Sequence, residues 1–487
     1  MKKLIIGPPG TGKTTTLLEI VHDCLSEGTP PERIAFTTFT KSGAGEAIYR
    51  AVDKFDIPKR RFINFKTLHS LCYRETGARK VMGYPDYKEL SHDLGYNVTG
   101  FDEDDNGYSL GQTIRHVEEQ ARTRRIDIDE AAALLAPDIN HFQIKHYQQT
   151  LIKFKAVHGV PDFTDLLEKF LTVGRPLDVD VMIIDEAQDL TELQWQVVEI
   201  MAQNATDVYY AGDDDQTVHV WAGASISRFM QLGKQCDEYE VLDHSYRLPR
   251  VIHEYANSLS SRIRNRYNKE WGCNGEEGFL VRMAHHTMSS LPLDNGEWLM
   301  LARNKRSLRD FASVLRGRGL LFRENGVTHL GDIIKMINHW ERLRNFESIS
   351  FRDVKSLYSK CFLRNAGDFD GVAGMKYTLD SLTSDFGLKT QEPWFDAFDK
   401  ISLEDRKYLQ ACLRGGENSP RINVMTIHAS KGREAQNVVL LSDCSRASVE
   451  ELYSEPDSEH RVFYVGATRA KDSLYLVHES QENFYPL

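Results

Sequence analysis

Hydrophobic positions along this chain recur in two forms. Short uninterrupted apolar runs alternate with longer stretches in which apolar residues return every third or fourth position, and this alternation predicts the strand–helix–strand units of a parallel α/β sheet. Residues 3–6 read as a buried strand. From Thr14 onward Leu17, Leu18, Val21, Cys24 and Leu25 recur at helical spacing. A run at 34–37 and a helical pattern from Gly43 repeat the rhythm. Residues 73–160 are polar, with few β-branched runs and a helix expected around 141–157. The rhythm returns with the continuous run 179–184, which ends in acids, as a buried parallel strand with a site at its carboxyl end does. Residues 207–211 give the next strand. A second α/β segment is expected to begin at 239–242 and to continue through a helix at 249–259, a strand at 298–302 and a helix at 305–315. Residues 321–420 are again polar and helical in pattern, and strands resume at 423–427, 438–441 and 474–477. The simplest architecture is an α/β fold of two core domains with one mainly helical insertion each. The first core spans 1–72 and 161–236 around the insertion 73–160; the second spans 237–320 and 421–487 around the insertion 321–420.

Length and composition narrow this little. A chain of 487 residues is long for one core, and 41% hydrophobic with 27% charged residues is ordinary for a globular protein. No apolar run has the length of a membrane span, and residues 1–6 lack the long apolar stretch of a signal peptide. Seven scattered cysteines without a CxxC pair point to reduced thiols in a cytoplasmic setting, with no zinc site or disulfide frame. The net charge of −11 does not announce a nucleic-acid binder, yet a local groove is enough for a motor on a polyanion. The basic clusters at 59–61, at 122–125 and at Arg262, Arg264 and Arg266 are expected to be solvated faces, and the acidic run 102–105 a solvated loop.

The chemistry is concentrated in two places. GPPGTGKT at 7–14 follows the first strand and opens a helix. Gly7, Gly10 and Gly12 let the backbone turn its N–H groups toward a phosphate chain. Lys13 is placed to reach the β- and γ-phosphates, and the Thr14 hydroxyl to ligate Mg²⁺. Pro8, Pro9, Thr11 and Thr15 complete the phosphate-binding stretch. Asp185-Glu186-Ala187-Gln188-Asp189 follows the strand at 179–184. Asp185 is the candidate Mg²⁺ ligand, directly or through water, and Glu186 the candidate general base for the attacking water.

With these residues in view the chain resembles the superfamily 1 DNA helicases of the UvrD/PcrA/Rep type, as a compact member. The resemblance rests on ordered motifs over nearly the whole chain: GPPGTGKT, AFTTFTKSGAGEA (35–47), TLHSL (67–71), DFTDLL (162–167), DEAQD (185–189), AGDDDQTVHVWAGA (211–224), SYRLP (245–249), VMTIHASKGREAQNVVLL (424–441) and YVGATRAK (464–471). It implies two RecA-like core domains and ATP-dependent 3′→5′ translocation on single-stranded DNA, with hydrolysis driven by closure of the two domains. It also implies that Gln216 senses the γ-phosphate, that Tyr246 stacks on adenine and Glu434 meets the ribose, and that Arg247 and Arg469 reach the γ-phosphate from the opposite domain. The DNA contacts it implies are Phe39, Thr40, Thr67, His69, Trp221, His428, Ser430 and Lys431. Trp221 offers a flat face to a base, and such stacking is worth about 1–3 kcal/mol whatever the sequence.

The chain departs from the family's pattern in three ways. His219 stands where relatives often carry an aromatic. The glutamine-bearing, adenine-reading segment that relatives carry ahead of the P-loop is missing, because the loop starts at Gly7. Both insertions are short for the family. The expected partners are single-stranded DNA, single-strand/duplex junctions and proteins of replication, repair or recombination, with the chain acting as a monomer away from membranes. The alternative is a motor subunit of a larger nuclease or protein-displacing complex that unwinds weakly alone. A non-enzymatic, nucleotide-gated recruitment module would need a broken catalytic residue, and Lys13, Thr14, Asp185, Glu186, Gln216, Arg247 and Arg469 are all present.

Overall fold

The apolar runs form the strands of two six-stranded sheets. The computed structural model describes residues 1–38, 41–99, 109–328, 330–416, 420–478 and 483–487. The first sheet contains β1 (Lys2–Ile6), β2 (Ile34–Thr38), β3 (Phe65–Thr67), β4 (Val181–Ile184), β5 (Asp207–Gly212) and β6 (Glu238–Val241). They lie in the order β3-β2-β4-β5-β1-β6, and each neighbouring pair is parallel. Both faces are covered. Ile5, Phe36 and Ile183 pack with Leu17, Leu18 and Val21 of α1 (Lys13–Ser26). Leu4, Ile6, Met182 and Ile184 pack on the other face with Leu166, Leu167, Phe170 and Trp195. Burial on both sides is why β2 and β4 are buried along their whole length rather than alternating.

The strand order has a functional consequence. β4, β5 and β1 are neighbours, although β1 (Lys2–Ile6) lies far in sequence from β4 (Val181–Ile184) and β5 (Asp207–Gly212). Their carboxyl ends lead into 185–189, 213–216 and 7–14 respectively, so three of the motifs meet at one edge of one sheet.

Residues 73–160 carry more helix than the sequence pattern promised. Helices Tyr84–Leu94, Leu110–Arg124, Ile128–Leu135 and His141–His158 enclose their own core around Leu90, Ile114, Val117, Tyr147 and Phe154.

The second sheet runs β7-β14-β13-β8-β12-β9, from β7 (Phe279–Ala284), β8 (Trp298–Ala302), β9 (Phe322–Glu324), β12 (Ile422–Thr426), β13 (Ala435–Leu441) and β14 (Ala470–His478). β8 is parallel to β12 and β13, and β12 is parallel to β9. The helical stretch between β9 and β12 holds a small antiparallel pair, β10 (Ile349–Ser350) with β11 (Lys376–Tyr377). It also has an aromatic core of Trp340, Phe362 and Phe398.

One expectation about the division of the chain is corrected. The strand expected at 239–242 to open the second core is instead β6, on the edge of the first sheet beside β1. Its polar–aromatic alternation fits any half-exposed edge, so the pattern did not say which sheet it joins. By compactness the chain divides into Met1–Leu280 with Cys444–Ser473, and Val281–Asp443 with Leu474–Leu487. Arg247 and Arg469 fall within the first of these units, although Arg469 directly precedes β14 of the second sheet. Among the described residues, no helix is long and apolar enough to cross a membrane.

Candidate functional site

The P-loop is held by its neighbours before any ligand is considered. The Gly7 N–H donates to the Gly212 carbonyl at 2.9 Å, tying β1 to β5 where both end. The Thr11 hydroxyl donates to the Pro8 carbonyl at 2.8 Å. Residues 245–247 lie along the loop: the Ser245 hydroxyl donates to the Pro9 carbonyl at 2.8 Å and the Tyr246 N–H to the Gly10 carbonyl at 2.9 Å. Gly10 has φ +76°, and a Cβ there would lie 2.4 Å from the Cβ of Arg247 and 2.7 Å from Ser245 Oγ. No side chain fits, so glycine is required both for the turn and for this approach. Gly12 precedes α1 in the left-handed region and supplies no side chain to the first-turn N–H groups, which leaves that helix end to an anion.

Lys13 Nζ lies 3.4 Å from Glu186 Oε1. Burial works to lower the pKa of Lys13, but Glu186, Asp185 and Asp213 outweigh it and hold the ammonium above its ordinary value. Asp185 ends β4, with its N–H bonded to the Thr37 carbonyl at 2.8 Å and its Oδ1 accepting from the Glu186 N–H at 2.9 Å. Glu186 itself adopts φ +55°, a left-handed conformation costly for a residue with a side chain. Its Oε2 accepts from Gln188 Nε2 at 2.5 Å.

The acids at 213–215 are buried and paired with internal cations. Lys269 Nζ sits 2.5, 2.7 and 2.8 Å from Asp213, Asp214 and Asp215, and Arg266 pairs with Asp215 at 2.5 Å. Lys269 is raised by these carboxylates against the opposing effect of burial. Asp214 moves the other way from Asp215: burial and its acidic neighbours raise it, whereas Lys269 and Arg266 overcome burial and lower Asp215. Gln216 ends this turn. Its Nε2 donates to Asp213 Oδ2 at 2.7 Å, and its Oε1 accepts from Arg469 at 3.0 Å. Arg247 reaches the Thr468 carbonyl at 3.5 Å, beside Arg469. One compact unit thus assembles Lys13, Asp185, Glu186, Gln216, Arg247 and Arg469.

Two family models match this chain. The UvrD/REP helicase N-terminal domain covers residues 1–237, and the UvrD-like helicase C-terminal domain covers residues 398–481. The chain belongs to the UvrD/Rep helicase family. It is similar to the ATP-dependent DNA helicase Rep of Buchnera aphidicola subsp. Acyrthosiphon pisum, 21% identical over 98% of this chain and 92% of the relative. A second Rep, from Buchnera aphidicola subsp. Baizongia pistaciae, is 25% identical over 58% of this chain and 44% of its own. A probable DNA helicase of Mycoplasma pneumoniae is 22% identical over 98% of this chain and 80% of the relative.

The remaining family positions fall unevenly. Tyr246 is 74% exposed, and a Cβ on Gly12 would lie 3.8 Å from its ring, so an open aromatic face stands beside the P-loop. Trp221 is 41% exposed in the turn Val220–Ala222, flanked by His116 and His219, and Arg124 holds that turn through the Val220 carbonyl at 3.0 Å. His69 packs edge-on to Phe163 and, by burial, is pushed down to about 4, so it is a neutral ring at physiological pH. Thr67 is buried and caps helix Leu68–Glu75, accepting from the Ser70 N–H. Phe39, Thr40 and the acidic run 102–105 lie outside the described residues.

In the second unit, the turn His428–Ser430 follows β12, and Glu434 precedes β13 in a cavity of about 530 Å³ shared with Arg323, Arg421 and Arg433. Lys431 follows that turn and is half-buried. The DNA contact implied for Ser430 is corrected, because its side chain is fully buried and its hydroxyl donates to the Ile427 carbonyl at 2.6 Å. The basic clusters are corrected in part. Arg122 is no solvated residue: it bonds Asp162, Asp165 and Glu168 at 2.6–2.8 Å. Arg266 is committed to Asp215. Gln188, Lys269 and Ser245 were not singled out from the sequence. Ser245 and Gln188 lay inside quoted motifs, whereas Lys269 sits in NKEWG, which carries no signal of its role.

Proposed function

We propose that this chain hydrolyses ATP to translocate 3′→5′ along single-stranded DNA and to separate duplex at single-strand/duplex junctions, acting as a monomer. The observation that carries this reading is the meeting of Lys13, Glu186 and the Gln216–Arg469 pair at the carboxyl edge of one sheet, beside the open face of Tyr246. In this reading the P-loop amides and Lys13 hold the phosphate chain, and Tyr246 stacks on the adenine. Lys13 leaves Glu186 for the β- and γ-phosphates, which frees that carboxylate to take a proton from the attacking water. Arg247 and Arg469 neutralise charge that develops on the transferring phosphoryl. Trp221 stacks on a DNA base at the end of the loop that begins with Gln216, while His428 and Lys431 meet the DNA backbone and Glu434 the ribose.

The donor set suits Mg²⁺. Among the described residues, no group of three or more His, Cys, Asp or Glu side chains forms a protein cage for a metal. Mg²⁺ favours one or two protein ligands completed by phosphate oxygens and water, which here are Asp185 and Thr14. The ion would screen the phosphate charge and polarise the γ-phosphoryl.

Closure of two RecA-like domains on ATP remains part of the proposal, as the stepping motion and as the step that brings Arg247 and Arg469 onto the γ-phosphate. The test is ATP hydrolysis with and without single-stranded DNA, then unwinding of duplexes with a 3′ or a 5′ tail. Stimulation with unwinding from the 3′ tail alone is expected. Stimulation without unwinding favours a motor subunit that needs a partner, and no stimulation overturns the DNA half of the reading.

A further inference from the structure

One buried side chain in this site has no role in the scheme above. Gln188 is 0% exposed and sits between two motifs. Its Nε2 donates to Glu186 Oε2 at 2.5 Å, and its Oε1 accepts from the backbone N–H of Asp213 at 3.1 Å. The orientation of the amide is forced, since a carboxylate can only accept and a backbone N–H can only donate. The space for it is also specific: a Cβ on Gly212 would lie 2.4 Å from Gln188 Oε1. Asp213 continues the chain of contacts. Its carboxylate accepts from Gln216 Nε2 at 2.7 Å, and Gln216 Oε1 accepts from Arg469 at 3.0 Å. Lys269 anchors the other oxygen of Asp213 at 2.5 Å. An unbroken series of hydrogen bonds, Glu186–Gln188–Asp213–Gln216–Arg469, joins the water-activating carboxylate to the group that reads the γ-phosphate.

We propose that Gln188 is a positioning residue that fixes the Glu186 carboxylate relative to the Gln216–Arg469 pair, so that the general base is aligned only when that pair is in place. The proposal rests on the ATPase reading above. Gln188 touches neither water nor phosphate in this scheme. It acts through Glu186, whose Oε1 lies 3.4 Å from Lys13 Nζ and whose left-handed backbone departs from the regular elements on either side, so that the orientation of the carboxylate calls for support. A short bond to a buried amide, itself pinned to Asp213, supplies that support.

The experiment is single-turnover and steady-state ATP hydrolysis by the full chain carrying Gln188→Met, Gln216→Met or both, with nucleotide affinity measured separately. Gln188→Met keeps the volume and removes the bonds to Glu186 and to the Asp213 N–H, along with a long one of 3.5 Å to Asp189. It is expected to lower kcat on the order of tenfold to a hundredfold, as misplacement of a reacting group does, with ATP affinity unchanged. If the two glutamines act through one series, the double variant falls no further than the worse single one. Multiplying losses, a loss confined to ATP affinity, or kcat within about twofold of the parent overturns the proposal. Should Gln188→Met fail to fold, Gln188→Asn reads the same property, since it keeps the amide but is a methylene too short to span both partners. A parallel Glu186→Gln variant separates the two levels. Absence of hydrolysis by the parent chain overturns the ATPase reading, and normal hydrolysis by Glu186→Gln overturns the general-base assignment on which the proposal rests. If Glu186→Gln is inactive while Gln188→Met is normal, only the present proposal fails.

Discussion

Glu186 occupies a left-handed backbone position at φ +55°, with one carboxylate oxygen toward Lys13 and the other on Gln188. A carboxylate shared between a cation and an amide is oriented before substrate arrives. Replacing Glu186 with glutamine should leave nucleotide binding intact while lowering kcat by about 10²–10⁴-fold, the usual share of a general base; steady-state hydrolysis and equilibrium nucleotide binding check both halves. Tyr246 presents an open ring beside the P-loop, so Tyr246→Ala should raise KM for ATP roughly 5- to 100-fold, corresponding to the loss of one base–aromatic stack, with a smaller change in kcat. At this scale the sequence was most readable where chemistry depends on residue type and spacing, as in the P-loop and the acids after β4. It was least readable where a side chain's role depends on a distant partner. Lys269 gives no local hint that it faces Asp213, Asp214 and Asp215, and Ser430, within a motif of DNA contacts, turns inward to the Ile427 carbonyl.

Among elements, the helix Leu110–Arg124 is fastened to helix Phe163–Val173 through Arg122, which bonds Asp162, Asp165 and Glu168 and lies 3.5 Å from Glu118. Those acids hold Arg122 protonated far more firmly than burial opposes it. Removing one partner from such a cluster strands the others, so Arg122→Met should destabilise the fold by about 3–5 kcal/mol, read as a lower midpoint in denaturant unfolding. The run RTRR looks like a basic surface because its counter-charges lie some forty residues away, beyond any local pattern. The same limit misplaced β6. An alternating strand shows which face is buried but not which sheet it extends, and only pairing with β1 decides it.

Across the whole molecule, burial lowers five histidines among the described residues, His69, His116, His253, His460 and His478, and the first two move furthest. His69 and His116 are each pushed down to about 4, chiefly by burial, against 6.5 for the free side chain. Between those values the unfolded chain takes up protons that the native chain refuses. Stability should therefore be insensitive to these groups above pH 6.5 and fall as pH drops from about 6.5 to about 4. Unfolding midpoints across that range should show the fall, with a shallower slope in His69→Gln. The neutral ring of His69 also separates it from the cationic DNA contacts. In a titration of single-stranded DNA affinity against salt, Lys431→Ala should flatten the slope by about 0.7, while His69→Ala leaves it unchanged. At this scale the sequence conveyed two parallel sheets and their insertions, because apolar runs and motif order survive in one dimension. Compactness did not follow from it, since residues 444–473 join the first unit only through the folded chain. The aspartates at 213–215 have one further consequence. Three adjacent carboxylates next to a phosphate-binding loop would normally act as a sponge for free divalent ions. Here the counter-ion is covalently part of the protein, as Lys269 with Arg266 behind it, so it neither exchanges with solvent nor dilutes away. In the proposed reading, Gln216 therefore sits beside carboxylates whose counter-charge is internal, and the Mg²⁺ of the phosphate site is left to arrive with the nucleotide.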